Sequence, residues 1–202
     1  AQFNVEANVL SAGRLAFVAV LDDAPVLWIA DFDRQQYYPV KGALNPETPD
    51  FSPDGQELVF SAGDKNSRDV VIWNGAGFRT ITSGQYRDEE PEWFPSGGLI
   101  SFIRRSKKSY PSIWVIRPDG SHSEKVYSPY AGIYTARSNP NNEELVVVTD
   151  ADWPGRDIIL IPMSSKTPKF LTTGALHHTQ PAWSPDGSRL AITVGHYPET
   201  DI

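Results

Sequence analysis

The sequence predicts an all-β fold, a β-propeller of four-stranded antiparallel blades, and three observations predict it. A proline-bearing segment recurs as Pro49-Asp50-Phe51-Ser52-Pro53-Asp54-Gly55, Pro91-Glu92-Trp93-Phe94-Pro95-Ser96-Gly97 and Pro181-Ala182-Trp183-Ser184-Pro185-Asp186-Gly187. A weaker copy stands at Ala136-Arg137-Ser138-Asn139-Pro140-Asn141-Asn142. An apolar run follows each copy, and Leu15-Ala16-Phe17 fits the same slot with its turn eroded. The anchors Leu15, Leu58, Ile100, Leu145 and Leu190 stand 43, 42, 45 and 45 residues apart. Inside each period the apolar residues alternate or form short runs, and no segment keeps a helical stripe. A helical solenoid would need helices and a parallel β-helix a shorter period, so this repeat reads as propeller blades.

Each blade is then assembled strand by strand. The Pro-x-(Phe/Trp) segment supplies the inner strand. The anchor run supplies the next one: Leu58-Val59-Phe60, Ile100-Ser101-Phe102, Leu145-Val146-Val147 and Leu190-Ala191-Ile192. Val26-Leu27-Trp28-Ile29, Val70-Val71-Ile72-Trp73, Ile113-Trp114-Val115-Ile116 and Ile158-Ile159-Leu160-Ile161 follow, rich in the β-branched and aromatic residues that pleated surfaces favour. The last strand is shorter and more polar: Tyr37-Tyr38-Pro39-Val40, Arg79-Thr80-Ile81-Thr82, Lys125-Val126-Tyr127 and Lys169-Phe170-Leu171-Thr172. That polarity, with Pro39 inside one copy, suits an exposed edge. Asn74-Gly75, Pro118-Asp119-Gly120 and Met163-Ser164-Ser165 supply tight turns into it. Seventeen prolines in 202 residues, about 8% against a typical ~5%, therefore mark the blades.

The pattern Pro-x-(Phe/Trp)-Ser-Pro-Asp-Gly-x-x-Leu-(Ala/Val)-(Phe/Ile) resembles the TolB-type propeller repeat, from about residue 10 to the end. The same repeat occurs in the propeller domains of prolyl oligopeptidase-like and tricorn-like peptidases. The resemblance implies a ring of six or seven blades and a periplasmic or secreted protein, with a cytoplasmic location left open. By the period, blades fall at about 1–45, 46–87, 88–132, 133–177 and 178–202 of one domain, the last incomplete. About four and a half blades leave the ring open. A fragment is the first expectation; an arc completed by a second chain or a second copy, and a compact five-bladed ring, are the alternatives. An open ring exposes apolar faces and invites self-association.

Composition narrows the function. The net charge of −7 argues against nucleic acid as partner. No apolar run reaches 18 residues, which excludes a transmembrane helix and any membrane insertion by one. With no cysteine, disulfides and thiolate metal sites are excluded. Neither a Gly-x-Ser-x-Gly elbow nor a phosphate loop, dinucleotide fingerprint or His-Glu-x-x-His occurs, so no catalytic residue is assigned. Asp150-Ala151-Asp152-Trp153-Pro154-Gly155 opens like a calcium loop, but Ile161 stands where the bidentate Glu belongs, leaving a polar strand connection.

Binding candidates gather in loops on one face of the predicted blades, where a rigid scaffold carries function. Arg104, Arg105, Lys107 and Lys108 form a basic connection followed by Tyr110. Asp88, Glu89 and Glu90 form an acidic one beside it, so the pair suits a charged peptide or a protein partner. A solvated face of mutually neutralised charges competes with that reading. Tyr134, Trp153 and Arg156 join the same face, with Trp153 as the exposed aromatic contact, whereas Trp28, Trp73, Trp114 and Trp183 read as blade packing. His177, His178 and Gln180, with His196, form the one histidine cluster. It suits a metal by residue type, and propellers of the oligogalacturonate lyase kind use a His/Gln site, but His-His-Thr-Gln does not reproduce their order. Solvated loop histidines are the preferred reading, and no metal or cofactor is expected. The expected function is a non-catalytic scaffold that binds a protein or peptide. The alternatives are the propeller gate of a larger prolyl oligopeptidase-like serine peptidase and a metal-dependent lyase.

Overall fold

The computed structural model describes residues 6–11, 13–152 and 154–195, with side chains from residue 13 onward. Strands and turns account for the described residues, without helix. Strands β1 (Glu6–Ser11), β2 (Arg14–Leu21), β3 (Ala24–Asp31) and β4 (Gln36–Pro39) form one antiparallel sheet in chain order. Strands β5 (Glu47–Phe51), β6 (Leu58–Gly63), β7 (Arg68–Trp73) and β8 (Phe78–Thr80) form the next meander. It adjoins β9 (Arg87–Trp93), β10 (Ile100–Ser106), β11 (Ser109–Ile116) and β12 (Glu124–Tyr127) through one parallel bridge, Arg68 to Arg87. A further sheet holds β13 (Ile133–Ser138), β14 (Glu144–Thr149), β15 (Asp157–Pro162) and β16 (Lys169–Phe170). β17 (His177–Trp183) and β18 (Leu190–Gly195) form a two-stranded unit. This is the blade architecture that the repeat predicts, with the polar strands β4, β8, β12 and β16 on the outside.

Strand periodicity explains the core. Successive residues of a strand face opposite sides, and each inner sheet is covered on both, so its strands read as continuous apolar runs. Leu58 and Phe60 enter the cluster shared with the preceding sheet, while Val59 between them enters the cluster shared with the following one. Leu145 and Val147 likewise face backward, Val146 and Val148 forward. Trp73, Trp114 and Trp183 are half-buried against these clusters, as blade packing requires.

The Ser-Pro-Asp-Gly turns are closed by their own polar groups. Ser52 Oγ donates to Asp54 Oδ1 at 2.6 Å and accepts the Glu57 amide at 2.9 Å. Ser184 repeats this with Asp186 at 2.6 Å and the Arg189 amide at 3.0 Å. The Ser184 hydroxyl, with help from Ser188, holds the Asp186 carboxyl at about 2, below its ordinary value. At the far end of the inner strands, Thr48, Glu90 and Gln180 each precede a proline and each adopt positive φ (46°, 50° and 51°). Register shifts lie beside each of them, so every one of these inner strands carries a bulge where it enters the sheet.

Candidate functional site

The face formed by the starts of β9, β13 and β17 and by the β10–β11 turn gathers most of the sequence candidates. The structure corrects how they are carried. Arg87 through Glu90 begin strand β9 rather than a connection, and Arg104 and Arg105 belong to strand β10, so only Lys107 and Lys108 form the turn. Antiparallel register sets Arg104 opposite Asp88, and the two meet in a bidentate pair at 2.7 Å on both arms. Asp88 is buried, and the Arg104 guanidinium lies over the Tyr86, Trp114 and Phe102 rings at 4.6, 4.7 and 5.4 Å. Its hydrogen bonds to Asp88 raise the Arg104 pKa further. Arg104 is a locked structural cation.

Its neighbours divide the same way. Glu89 accepts from Arg105 at 2.8 Å and from Arg87 at 2.6 Å, while Arg105 also donates to the Ile133 carbonyl of the next sheet at 3.0 Å. Lys107 reaches only the Asn66 side chain at 3.2 Å, and Lys108 is exposed. Tyr110, 56% exposed, meets Tyr130, 94% exposed, edge to face at 6.1 Å. Tyr130 was not a sequence candidate; it sits in the β12–β13 connection with no repeat signal around it.

Farther along, Tyr134 donates to Asp150 Oδ2 at 2.7 Å, and Asp150 Oδ1 accepts the Gly132 amide. The Arg156 guanidinium stacks 3.7 Å from the Tyr134 ring centroid. Trp153 lies outside the described residues, as does His196. The histidines are a second correction: His177 and His178 are the first residues of β17, not loop residues before it. His178 is buried, its Nδ1 donating to the Arg156 carbonyl at 3.1 Å and lying 3.5 Å from the buried Asp157. Gln180 accepts from Thr193 at 3.1 Å across the bulge. Among the described residues, no three His, Cys, Asp or Glu side chains converge in a metal-ligating group, and no helix is long and apolar enough to cross a membrane.

Sequence reasoning missed a second set, on the inner strands themselves. The x of Pro-x-(Phe/Trp) is Asp50, Glu92, Arg137 and Ala182 in successive copies. Asp50 Oδ2 accepts the Trp93 amide at 2.8 Å, and Glu92 Oε1 accepts both the amide and the hydroxyl of Ser138 at 2.8 and 2.7 Å. Each carboxylate thus ties the backbone of the next blade. Arg137 stands 3.6 Å from both Glu90 and Glu92. Burial, then the nearby Glu92 charge, pushes the Asp50 carboxyl up to about 8; burial also raises Glu90 and Glu92. Ionisable residues recurring in one repeat slot were the available signal.

The arrangement therefore holds a rigid ion-paired floor, with two lysines and two tyrosines standing out from it.

Comparison with known proteins agrees with the fold. The family model described as PD40, TolB beta propeller domain, matches residues 10–194. A curated relative, protein Atu1656 of Agrobacterium fabrum, is 29% identical over 160 residues, 73% of this chain and 54% of its own length. Peptidase YuxL of Bacillus subtilis is 21% identical over 196 residues, 76% of this chain and 30% of its own length. This chain thus spans about half of the first relative and under a third of the second. The structure of TolB from Acinetobacter baumannii superposes with TM-score 0.73 at 17% identity, over 89% of this chain and 45% of that one. A puromycin-hydrolysing peptidase of Mycobacterium tuberculosis gives 0.70 at 19%, over 95% and 35%. Oligogalacturonate lyase of Vibrio parahaemolyticus gives 0.74 at 12%, over 98% and 62%. At such identities the superpositions establish the fold alone.

Proposed function

Because the chain belongs to the TolB β-propeller domain family, we propose that it is a non-catalytic scaffold that binds a protein or peptide through the face described above. One observation carries the reading: Lys108, Tyr110 and Tyr130 are exposed, and Lys107 touches only the Asn66 side chain, beside the Arg104–Asp88 and Arg105–Glu89 pairs. Exposed tyrosines are enriched at interface hot spots, and lysines beside them steer an acidic partner. The expected partner offers carboxylates and a planar or apolar group to lie against the tyrosine pair. A periplasmic or secreted location belongs to the same proposal, and cell fractionation checks it.

Reversing Lys107→Glu and Lys108→Glu, with Arg104 left intact, is expected to abolish capture of the partner from extracts of cells that make the protein. Capture at the parental level by the folded double variant would refute the assignment of this face. Arg104 is unsuitable for such a test, since its loss would break the floor itself.

A second reading follows from length: the chain spans 30% of the curated peptidase it resembles. In that reading it is the propeller of a larger serine peptidase and gates access to a hydrolase domain. Reading the flanking coding sequence separates the two. A downstream hydrolase domain with Gly-x-Ser-x-Gly supports the gate, and its absence supports the scaffold.

A further inference from the structure

At the opposite end of the blades, a cleft of about 600 Å³ opens between the third and fourth sheets. Its apolar lining is Leu99, Val115 and Met163, of which the last two are buried. The cleft between the second and third sheets holds about 410 Å³ and has Trp93 in its wall.

The rim is charged on both sides. Lys166 of the β15–β16 turn pairs with Glu124 of β12 and closes one side. Arg117 stands beside His122, its Nη1 3.0 Å from His122 Nδ1. That contact leaves the other guanidinium N–H groups of Arg117 available. Glu143 and Glu144 line the cleft across from it, and the Glu143 carbonyl accepts the Met163 amide at 2.9 Å, which fixes their turn. Among the described residues, no ion pair engages Arg117, Glu143 or Glu144. Arg117, held beside His122 with the Asp119 carboxylate near it, the carboxylates Glu143 and Glu144, and an apolar lining therefore share a cavity in the size range of small-ligand sites.

We propose that this cleft binds a short free peptide with apolar side chains, as the zwitterion. Its carboxylate pairs with Arg117, its ammonium with Glu143 and Glu144, and its side chains cover Leu99, Val115 and Met163. A segment within a longer chain carries neither terminal charge, and a single protein terminus carries only one. Charge complementarity thus selects a free peptide over a protein tail. The site is independent of the lysine–tyrosine face.

Leu-Leu, N-acetyl-Leu-Leu and Leu-Leu amide, titrated by calorimetry, test the idea. Leu-Leu is expected to saturate the protein, and each capped form to bind about 10-fold more weakly, the cost of one charged hydrogen-bonded contact. Arg117→Gln should weaken Leu-Leu by about 10-fold while leaving the amide unchanged. The Glu143→Gln, Glu144→Gln double variant should weaken Leu-Leu and leave the acetylated peptide unchanged. The unaffected capped peptide in each case is the control for folding. Absence of saturable Leu-Leu binding, equal binding of capped and free forms, or full Leu-Leu affinity in both variants would overturn the proposal.

Discussion

Arg104 and Lys108 look alike in the sequence and behave as opposites in the structure. Arg104 is ion-paired to a buried carboxylate under three rings, whereas Lys108 is exposed in a turn. Removing one partner of a buried pair leaves the other uncompensated, so Arg104→Ala should cost about 3 kcal/mol in denaturant unfolding. Lys108→Ala should stay within about 0.5 kcal/mol. Asp50 supplies a pH signature. Its folded value of about 8 lies above the ordinary 3.8, so between those values the folded state keeps a proton that the unfolded chain releases. Stability therefore falls as pH rises through that window and levels off above about pH 8. Asp50→Asn keeps an acceptor for the Trp93 amide and removes the titration. Thermal melts should show the variant gaining on the parent from pH 5 to pH 8.5, and parallel curves would contradict the cause assigned. Charge and residue type were legible in the sequence at these positions. Pairing was not, because it depends on the register between β9 and β10, where a bulge shifts the alignment.

At the scale of the element, the turn motif carries two kinds of glycine constraint. Gly97 and Gly187 both adopt positive φ, 70° and 64°. A Cβ on Gly97 would meet nothing closer than 3.9 Å, whereas one on Gly187 would sit 2.3 Å from Asn139 Oδ1. Gly97→Ala should thus cost about 1–2 kcal/mol, from backbone conformation alone. Gly187→Ala should cost more and disturb the contact between the fourth and fifth units, where Asn139 donates to the Gly187 carbonyl at 3.2 Å. Comparison of the two melting temperatures checks this; equal losses would contradict it. Strand positions were legible because the 42–45-residue period fixes them repeatedly. The ends of inner strands were not: polar residues such as Asp88 and His178 looked like loop residues, and only tertiary burial makes them strand.

For the molecule as a whole, stability comes from blades sharing clusters on both faces, and it should decline toward the two-stranded unit. Val194 of β18 is 51% exposed, whereas Val146 and Val147 of β14 are fully buried. Amide exchange in native conditions should therefore release β17 and β18 before β6, β10 and β14. The repeat made the blade architecture legible, yet it said nothing of which charges remain free on the finished surface, since that is decided by pairing between neighbouring sheets. In the proposed function, Lys107, Lys108, Tyr110 and Tyr130 form the contact surface for a protein or peptide partner. Hydrogen exchange of the partner-bound protein tests it most directly. Binding is predicted to protect residues 106–110 and 128–134 while leaving the turn at 94–99 unchanged. Protection confined to any other surface, with 106–110 and 128–134 exchanging as in the free protein, would contradict it.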